Sequence, residues 1–148
     1  MCCWPARAAL ALYQRVLDDA VLTERPGLWM HVAARAAQAR LTLGDTSTAL
    51  GHVATVRRLW AAKFAPFDID RSDVWWIVVR TLRAQGDEQA ADELLAQGTA
   101  WLQQTARDNL ALDWRERFLH GHPGNRRLLN ESDGRICAAF VPTAAAPE

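Results

Sequence analysis

The stretches LGDTSTAL at 43–50 and QGDEQAADEL at 85–94 share one sequence pattern. Each places a glycine and an aspartate before a run that contains alanine, at a spacing of 86 − 44 = 42 residues. Glycine adopts the left-handed conformation that commonly ends a helix. After the first glycine, Asp45, Thr46 or Ser47 can cap the next helix, because each side chain accepts hydrogen bonds from the free N–H groups that begin it. The repeated glycine-aspartate pattern therefore predicts two helical hairpins, one turning at Gly44 and the other at Gly86.

Apolar residues at helical spacing surround both turns, and the one β-like run, WIVV, lies inside such a pattern. The predicted fold class is therefore all-α, with antiparallel helical hairpins stacked as a short array. The predicted helical-repeat domain covers 1–130. Within it we predict a partial repeat at 6–22, two repeats at 28–64 and 72–107, and capping helices at 113–129. A flexible tail is predicted to follow the domain at 131–148.

A single pair of antiparallel helices cannot bury its apolar stripes completely, and stacking a second pair buries the remainder. Small residues are expected where helices approach closely, and large residues between layers. The three tryptophans at 60, 75 and 101 are predicted to fill the space between layers. The small residues predicted at the close approaches are Ala33, Ala36, Ala37, Ala49, Ala90, Ala91 and Gly98.

Composition narrows the class of function. The chain has 148 residues and a formal net charge of zero, so no general attraction to nucleic acid or to an anionic membrane is expected. No apolar run approaches the roughly 20 residues that a membrane span needs. Three cysteines, at 2, 3 and 137, do not form a disulfide framework. These features predict a cytoplasmic protein.

The second predicted repeat resembles a tetratricopeptide unit, with an early aromatic residue, a glycine at the turn and an alanine early in the second helix. The positions that carry the resemblance are Trp75, Val78, Val79, Leu82, Gly86, Ala91 and Leu95. The first repeat matches less well, at Ala33, Ala37, Arg40, Gly44, Ala49 and Val53. It lacks the early aromatic residue, and the 42-residue spacing exceeds the usual period of about 34. The resemblance implies an array whose first helices line a concave surface that binds protein partners.

Residues 64–129 also resemble the C-terminal helical-repeat region of large bacterial signal-transduction ATPases and transcriptional regulators. This implies a protein-interaction or regulatory scaffold module in a larger signalling or transcription-control protein. The chain carries no phosphate-binding loop, so no ATP-binding residue is transferred from that class. A further interpretation is a gene fragment without independent function.

Exposed residues of the first helices, 28–43 and 72–85, are the predicted contacts for an acidic or extended peptide. They are His31, Arg35, Arg40, Arg80 and Arg83. No catalytic, cofactor-binding or metal-binding residue is predicted, and direct nucleic-acid binding is not expected. The alternative is a small metal-dependent enzyme that uses His120, His122 and the aspartates at 68, 70 and 73. Turns and helix caps explain these residues more simply, because no second ligand pair completes a tetrahedral set.

Overall fold

The structure, a computed structural model, describes residues 3–67 and 71–139. This part of the chain contains seven α-helices in adjacent antiparallel pairs and no strand, which confirms the predicted all-α class. None of these helices has both the length and the apolar content needed to cross a membrane. The α-helices are α1 (Cys3–Leu17), α2 (Pro26–Thr42), α3 (Thr46–Ala61), α4 (Arg71–Gln85), α5 (Glu88–Asn109), α6 (Leu112–Glu116) and α7 (Pro123–Ala139). A 3-10 helix covers Ala20–Glu24 and a π-helical turn covers Arg117–Gly121.

The turn between α2 and α3 is a Schellman motif. Gly44 has a φ of +78°, in the left-handed region that glycine tolerates without strain. Its N–H donates to the carbonyl of Leu41 at 3.0 Å, and the N–H of Asp45 donates to the carbonyl of Arg40 at 2.9 Å. The Asp45 carboxylate then accepts from the N–H of Thr48 at 3.1 Å. Asp45 thus caps the end of α2 through its backbone N–H and the start of α3 through its side chain.

The turn between α4 and α5 repeats this geometry. Gly86 has a φ of +90°. Its N–H donates to the carbonyl of Arg83 at 2.9 Å, and the N–H of Asp87 donates to the carbonyl of Leu82 at 3.0 Å. The Asp87 carboxylate accepts from the N–H of Ala90 at 3.1 Å. Both predicted glycine-aspartate bends are confirmed.

A third turn of the same kind ends α3 without a glycine. Lys63 has a φ of +67°, and its N–H donates to the carbonyl of Trp60 at 2.9 Å. The N–H of Phe64 donates to the carbonyl of Leu59 at 3.1 Å, which completes the motif. A lysine pays a steric penalty in this conformation that a glycine avoids. The sequence pattern did not reveal this turn because its left-handed position is not a glycine.

Aromatic side chains fill the space between layers, as predicted. The ring centroids of Trp60 and Trp75 are 5.0 Å apart, and those of Trp75 and Trp101 are 5.7 Å apart. Gly98 admits this stack, because an added Cβ would lie 2.9 Å from the Leu128 side chain and 3.0 Å from the indole of Trp75. The stack therefore joins α3, α4 and α5, and α7 covers it beside Gly98.

Small side chains make up most of the buried residues that α2 contributes to the first hairpin. Of the alanines predicted there, four are completely buried. Ala34, which was not predicted, is buried to the same extent. Small residues let two helix backbones approach closely, so α2 and α3 pack without an aromatic layer between them. The buried alanines from the prediction are Ala33, Ala36, Ala37 and Ala49.

The order of packing follows the order of the chain. Helix α4 packs against both helices of the first hairpin, α2 and α3. Helix α7 in turn packs against both α4 and α5, while α1 packs against α2. Helices α4 and α7 therefore each lie against the complete hairpin that precedes them.

Several boundaries differ from the prediction. The predicted first helix at 6–22 is divided, because Asp19 caps a separate 3-10 helix through its side chain. Helix α4 begins at Arg71, one residue before the predicted repeat at 72–107, and Ser72 is buried in its first turn. Helix α7 continues to Ala139, beyond residue 131, where a tail was predicted. Residues 140–148 lie outside the described part.

The predicted cap of the array is only partly realised. Leu128 and Leu129 are buried, and Phe118 is half-buried against the core. Trp114, which lies in the predicted capping segment at 113–129, is instead 58% exposed. Its ring lies 5.4 Å from the guanidinium of Arg117, which stacks on it in place of another helix.

Candidate functional site

An open cavity lies between the two first helices of the hairpins, α2 and α4. Its volume is about 170 Å³, and one face of each helix lines it. On α2 the lining residues are spaced by three and four positions, and on α4 likewise, so each set lies on one side of its helix. We call this feature the α2–α4 groove; its lining residues are Gln38, Leu41, Thr42, Trp76, Ile77 and Arg80.

Two arginines stack on the indole of the groove residue Trp76. The guanidinium carbon of Arg80 lies 4.8 Å from the ring centroid, and that of Arg127, on α7, lies 5.0 Å from it. A guanidinium at this distance from an aromatic face is attracted by the ring's quadrupole. Arg80 is exposed, and within the described ranges no carboxylate pairs with it. Its N–H donors are therefore available to a partner.

Asp73 connects three helices at one end of this groove. Its Oδ2 accepts from Arg35 on α2 at 3.0 Å, and its Oδ1 accepts from Arg127 on α7 at 3.1 Å. The Asp73 side chain is only 14% exposed, so these charge-assisted bonds are partly shielded from water. One carboxylate thus neutralises one of two guanidiniums, and Arg80 adds a further positive charge.

Two of the predicted contact residues form ion pairs elsewhere. Arg40 donates to Asp45 at 3.1 Å, beside the first glycine turn. Arg83 donates to Asp92 at 3.1 Å and to Glu131 on α7. Both arginines therefore tie one helix to the next within the chain.

The other predicted contacts lie closer to the groove. Arg35 donates to the groove residue Gln38 at 3.3 Å as well as to Asp73, so it supports the rim without lining the cavity. His31 is half-buried on α2 and interacts within the chain. Of the five predicted residues, Arg80 is the one that lines the groove.

The sequence prediction missed Arg127 and every groove-lining residue except Arg80, although Trp76 had a readable signal. Trp75 and Trp76 are adjacent, and neighbouring residues in a helix point about 100° apart, so they cannot both face the same layer. Arg80 follows Trp76 by four positions, which places both on one face. Arg127 carried no such signal, because it comes from a distant part of the chain.

A half-buried histidine lies near the first glycine turn. Burial lowers the pKa of His52, and the positive charge of Arg40 lowers it further, while Asp45 acts in the opposite direction. Its Nε2 is buried without a hydrogen-bond partner in the described structure. Hydrogen bonds from Thr48 lower the pKa of Asp45, and Arg40 adds to that effect. The neutral form of His52 is therefore favoured in the folded chain.

The residues of the alternative enzymatic interpretation serve structural contacts. His122 accepts from the backbone N–H of Asn125 through Nδ1 at 3.4 Å, at the start of α7. His120 lies 3.9 Å from Glu116, one helical turn away. Asn125 also accepts from the buried hydroxyl of Ser72 at 2.6 Å.

Among the side chains that the structure describes, at 5–67 and 71–134, no three of the metal-ligating types come together. Asp68 and Asp70, which were considered with Asp73, lie outside the described residues. Cys2 also lies outside them.

Comparison of the chain with known protein families, with curated proteins and with solved structures found no match.

Proposed function

We propose that this chain is a protein–protein interaction module of tetratricopeptide-like type, and that it binds a segment of a partner protein in the α2–α4 groove. The packing order carries this proposal. Helix α4 lies against the complete preceding hairpin, and α7 lies against α4 and α5 in the same way, which is how stacked helical repeats form a continuous surface from their first helices. The two glycine-aspartate turns supply the repeated bend that such stacking needs.

The size and composition of the groove support a peptide ligand. An apolar cavity of about 150 Å³ can hold one benzene molecule, so about 170 Å³ accommodates one apolar side chain. Gln38 and Thr42 provide polar groups beside it, as expected of a site that orients an extended backbone. The cavity is too small to enclose a large cofactor.

We further propose that the module serves a larger signalling or transcription-control protein. The support for this is the resemblance of residues 64–129 to the terminal repeat regions of bacterial regulators. In that setting the groove would bind either another domain of the same protein or a separate partner. Direct catalysis by this chain is not part of the proposal.

Selection from an unbiased library of displayed peptides tests the groove. Peptides that bind the unmodified chain are counter-selected on Thr42→Trp, which fills the cavity from an exposed position at the end of α2. Gln103→Trp, an exposed substitution on α5, is the matched control. Circular dichroism and thermal melting establish that both variants fold.

We expect the selected peptides to bind the unmodified chain and Gln103→Trp equally, and to lose binding to Thr42→Trp. Losing one buried apolar side chain of the peptide should weaken binding by about tenfold to a hundredfold. Equal binding to both variants, or no peptide above background, would contradict the proposed groove function.

A further inference from the structure

We infer that the segment recognised by the α2–α4 groove is acidic, with a carboxylate side chain placed next to one apolar side chain. The inference rests on the proposed function and specifies the chemistry of its partner. It follows from the distribution of charge and apolar surface around Trp76.

The charges beside the groove do not balance. Arg35 and Arg127 share the single carboxylate of Asp73, and Arg80 pairs with no carboxylate in the described part of the chain. Around Asp73 and Trp76, three guanidiniums are therefore matched by one carboxylate. The nearby carboxylates of Glu88, Asp92 and Glu131 pair with Arg83, one turn beyond Arg80 on α4. The chain as a whole has a net charge of zero, so this local excess is a property of the site rather than of the protein. An acidic partner complements it.

Trp76 holds the available guanidinium in place. Arginine ordinarily loses considerable side-chain entropy when it becomes fixed on binding. Stacking of Arg80 on the indole at 4.8 Å reduces that loss, because the side chain is already restrained. The planar fork of N–H donors is left to bind a carboxylate through two parallel hydrogen bonds.

The apolar part of the groove lies beside this guanidinium. Ile77, which is 2% exposed, follows Trp76 in α4, and Leu41 faces them from α2. Arg80 belongs to the same lining, so a carboxylate bound there lies next to the cavity. A partner can therefore place an aliphatic side chain in the cavity while a neighbouring acidic residue reaches Arg80.

The carboxylate is assigned to a side chain rather than to a chain terminus. A terminal carboxylate is typically captured by several converging backbone N–H groups. The groove instead offers side chains from two helix faces, whose own backbone N–H groups are used within the helices. One exposed guanidinium beside an apolar cavity suits an internal acidic residue.

Four short peptides of equal length, acetylated and amidated at their ends, test this inference by fluorescence anisotropy. The first contains glutamates around a central leucine. The second replaces the glutamates by glutamines, the third replaces them by lysines, and the fourth keeps the glutamates but replaces leucine by alanine. Each is titrated with the unmodified chain, Arg80→Gln, Arg80→Glu and Thr42→Trp. Arg107→Gln, a 71% exposed arginine on α5, is the control.

We expect the glutamate–leucine peptide to bind most tightly and to weaken with added salt. The glutamine and alanine peptides should each bind about tenfold more weakly, as should the first peptide to Arg80→Gln. Arg80→Glu should reverse the preference toward the lysine peptide, which a merely structural role of Arg80 would not produce. Arg107→Gln should leave every affinity unchanged.

The outcomes separate this inference from the proposed function. Tightest binding of the glutamine or lysine peptide, lost in Thr42→Trp, would overturn the acidic preference and leave the groove function standing. Binding of the glutamate–leucine peptide unchanged by Arg80→Gln would also overturn the inference. If none of the four peptides binds while library-selected peptides do, the inference fails alone. If neither kind of peptide binds, both fail.

Discussion

Hairpin α2–α3 and hairpin α4–α5 turn in the same way but pack differently. Both bend at a left-handed glycine, and both begin the second helix with an aspartate cap. The first hairpin is joined through buried alanines, whereas the second carries Trp75 and Trp101 in a stack that reaches Trp60 of the first. The reversal of the chain at each turn is thus set by local hydrogen bonds. The spacing of the packed helices is set by the volume of the side chains between them.

This difference has a functional consequence. Large aromatic residues occupy the layers around α4, and one of its tryptophans, Trp76, faces the groove instead of the stack. The close-packed first hairpin supplies the other wall through Leu41 and Thr42. The cavity therefore has one wall from the closely packed hairpin and one aromatic wall. Four predictions test the contrast between the two hairpins.

The largest expected effect is loss of the aromatic layer. Trp75→Ala should lower the free energy of unfolding by about 3–5 kcal/mol, because it leaves a cavity between α3, α4 and α5. Urea unfolding followed by circular dichroism measures this change. Trp114→Ala is the matched control, since Trp114 is 58% exposed, and it should lower stability by less than about 1 kcal/mol. Equal losses in the two variants would show that the stack does not hold the layers together.

The alanine layer should respond to added volume instead. Ala37→Leu places three extra carbon atoms in a site that is completely buried, and should lower the free energy of unfolding by about 1–3 kcal/mol. Ala100→Leu, at an exposed position of α5, should change stability by no more than about 0.5 kcal/mol. Toleration of leucine at 37 would mean that α2 and α3 are less closely packed than the structure shows.

The turns should respond alike in the two hairpins. Gly44→Ala and Gly86→Ala should each lower stability by about 1 kcal/mol, because alanine is strained at positive φ even though the space around it is open. Lys63→Gly should have the opposite sign and raise stability by several tenths of a kcal/mol to about 1 kcal/mol. Thermal unfolding measures all three.

Gly51→Ala is the control for these turns. Its surroundings are equally open, but Gly51 lies within α3 and has no positive φ. Alanine there should stabilise the chain by about 0.5–1 kcal/mol. A loss of stability in Gly51→Ala would show that the cost at the turns does not come from backbone conformation.

The smallest expected effect is a dependence of stability on pH that arises at His52 in the first hairpin. The pKa of His52 is lowered below its ordinary value of 6.5, so the unfolded chain takes up a proton more readily than the folded chain. Stability should therefore fall as the pH decreases from 6.5 toward the folded-state pKa, and this contribution should level off below it.

Urea unfolding of the unmodified chain and of His52→Gln, between about pH 5 and 7.5, isolates this contribution. The difference between the two proteins should change over that range because all other titrating groups are shared. Parallel stability curves would contradict the assignment to His52.

The sequence was sufficient to predict those features that depend on local chemistry. The bends at Gly44 and Gly86 were predictable because their hydrogen bonds join residues within six positions of each other. The tryptophan layer was predictable because bulky residues recur at helical spacing. The turn at Lys63 was not, because no glycine marks it.

The site depended on contacts between distant parts of the chain. The ion pairs of Arg35 with Asp73 and of Arg83 with Glu131 join residues 38 and 48 positions apart. No spacing rule reveals such pairs, so these arginines and Arg80 looked equivalent in the sequence. The groove became identifiable only when the partners of each guanidinium were known.

Asp45 and Asp87 each hydrogen-bond to the helix before them and to the helix after them. This has a consequence for local unfolding at the two turns. In each hairpin the amide that terminates one helix and the carboxylate that initiates the next belong to a single residue. Fraying of either end therefore loosens the other. Amide protons on the two sides of a bend should exchange with solvent at matched rates, because the two helix ends open cooperatively.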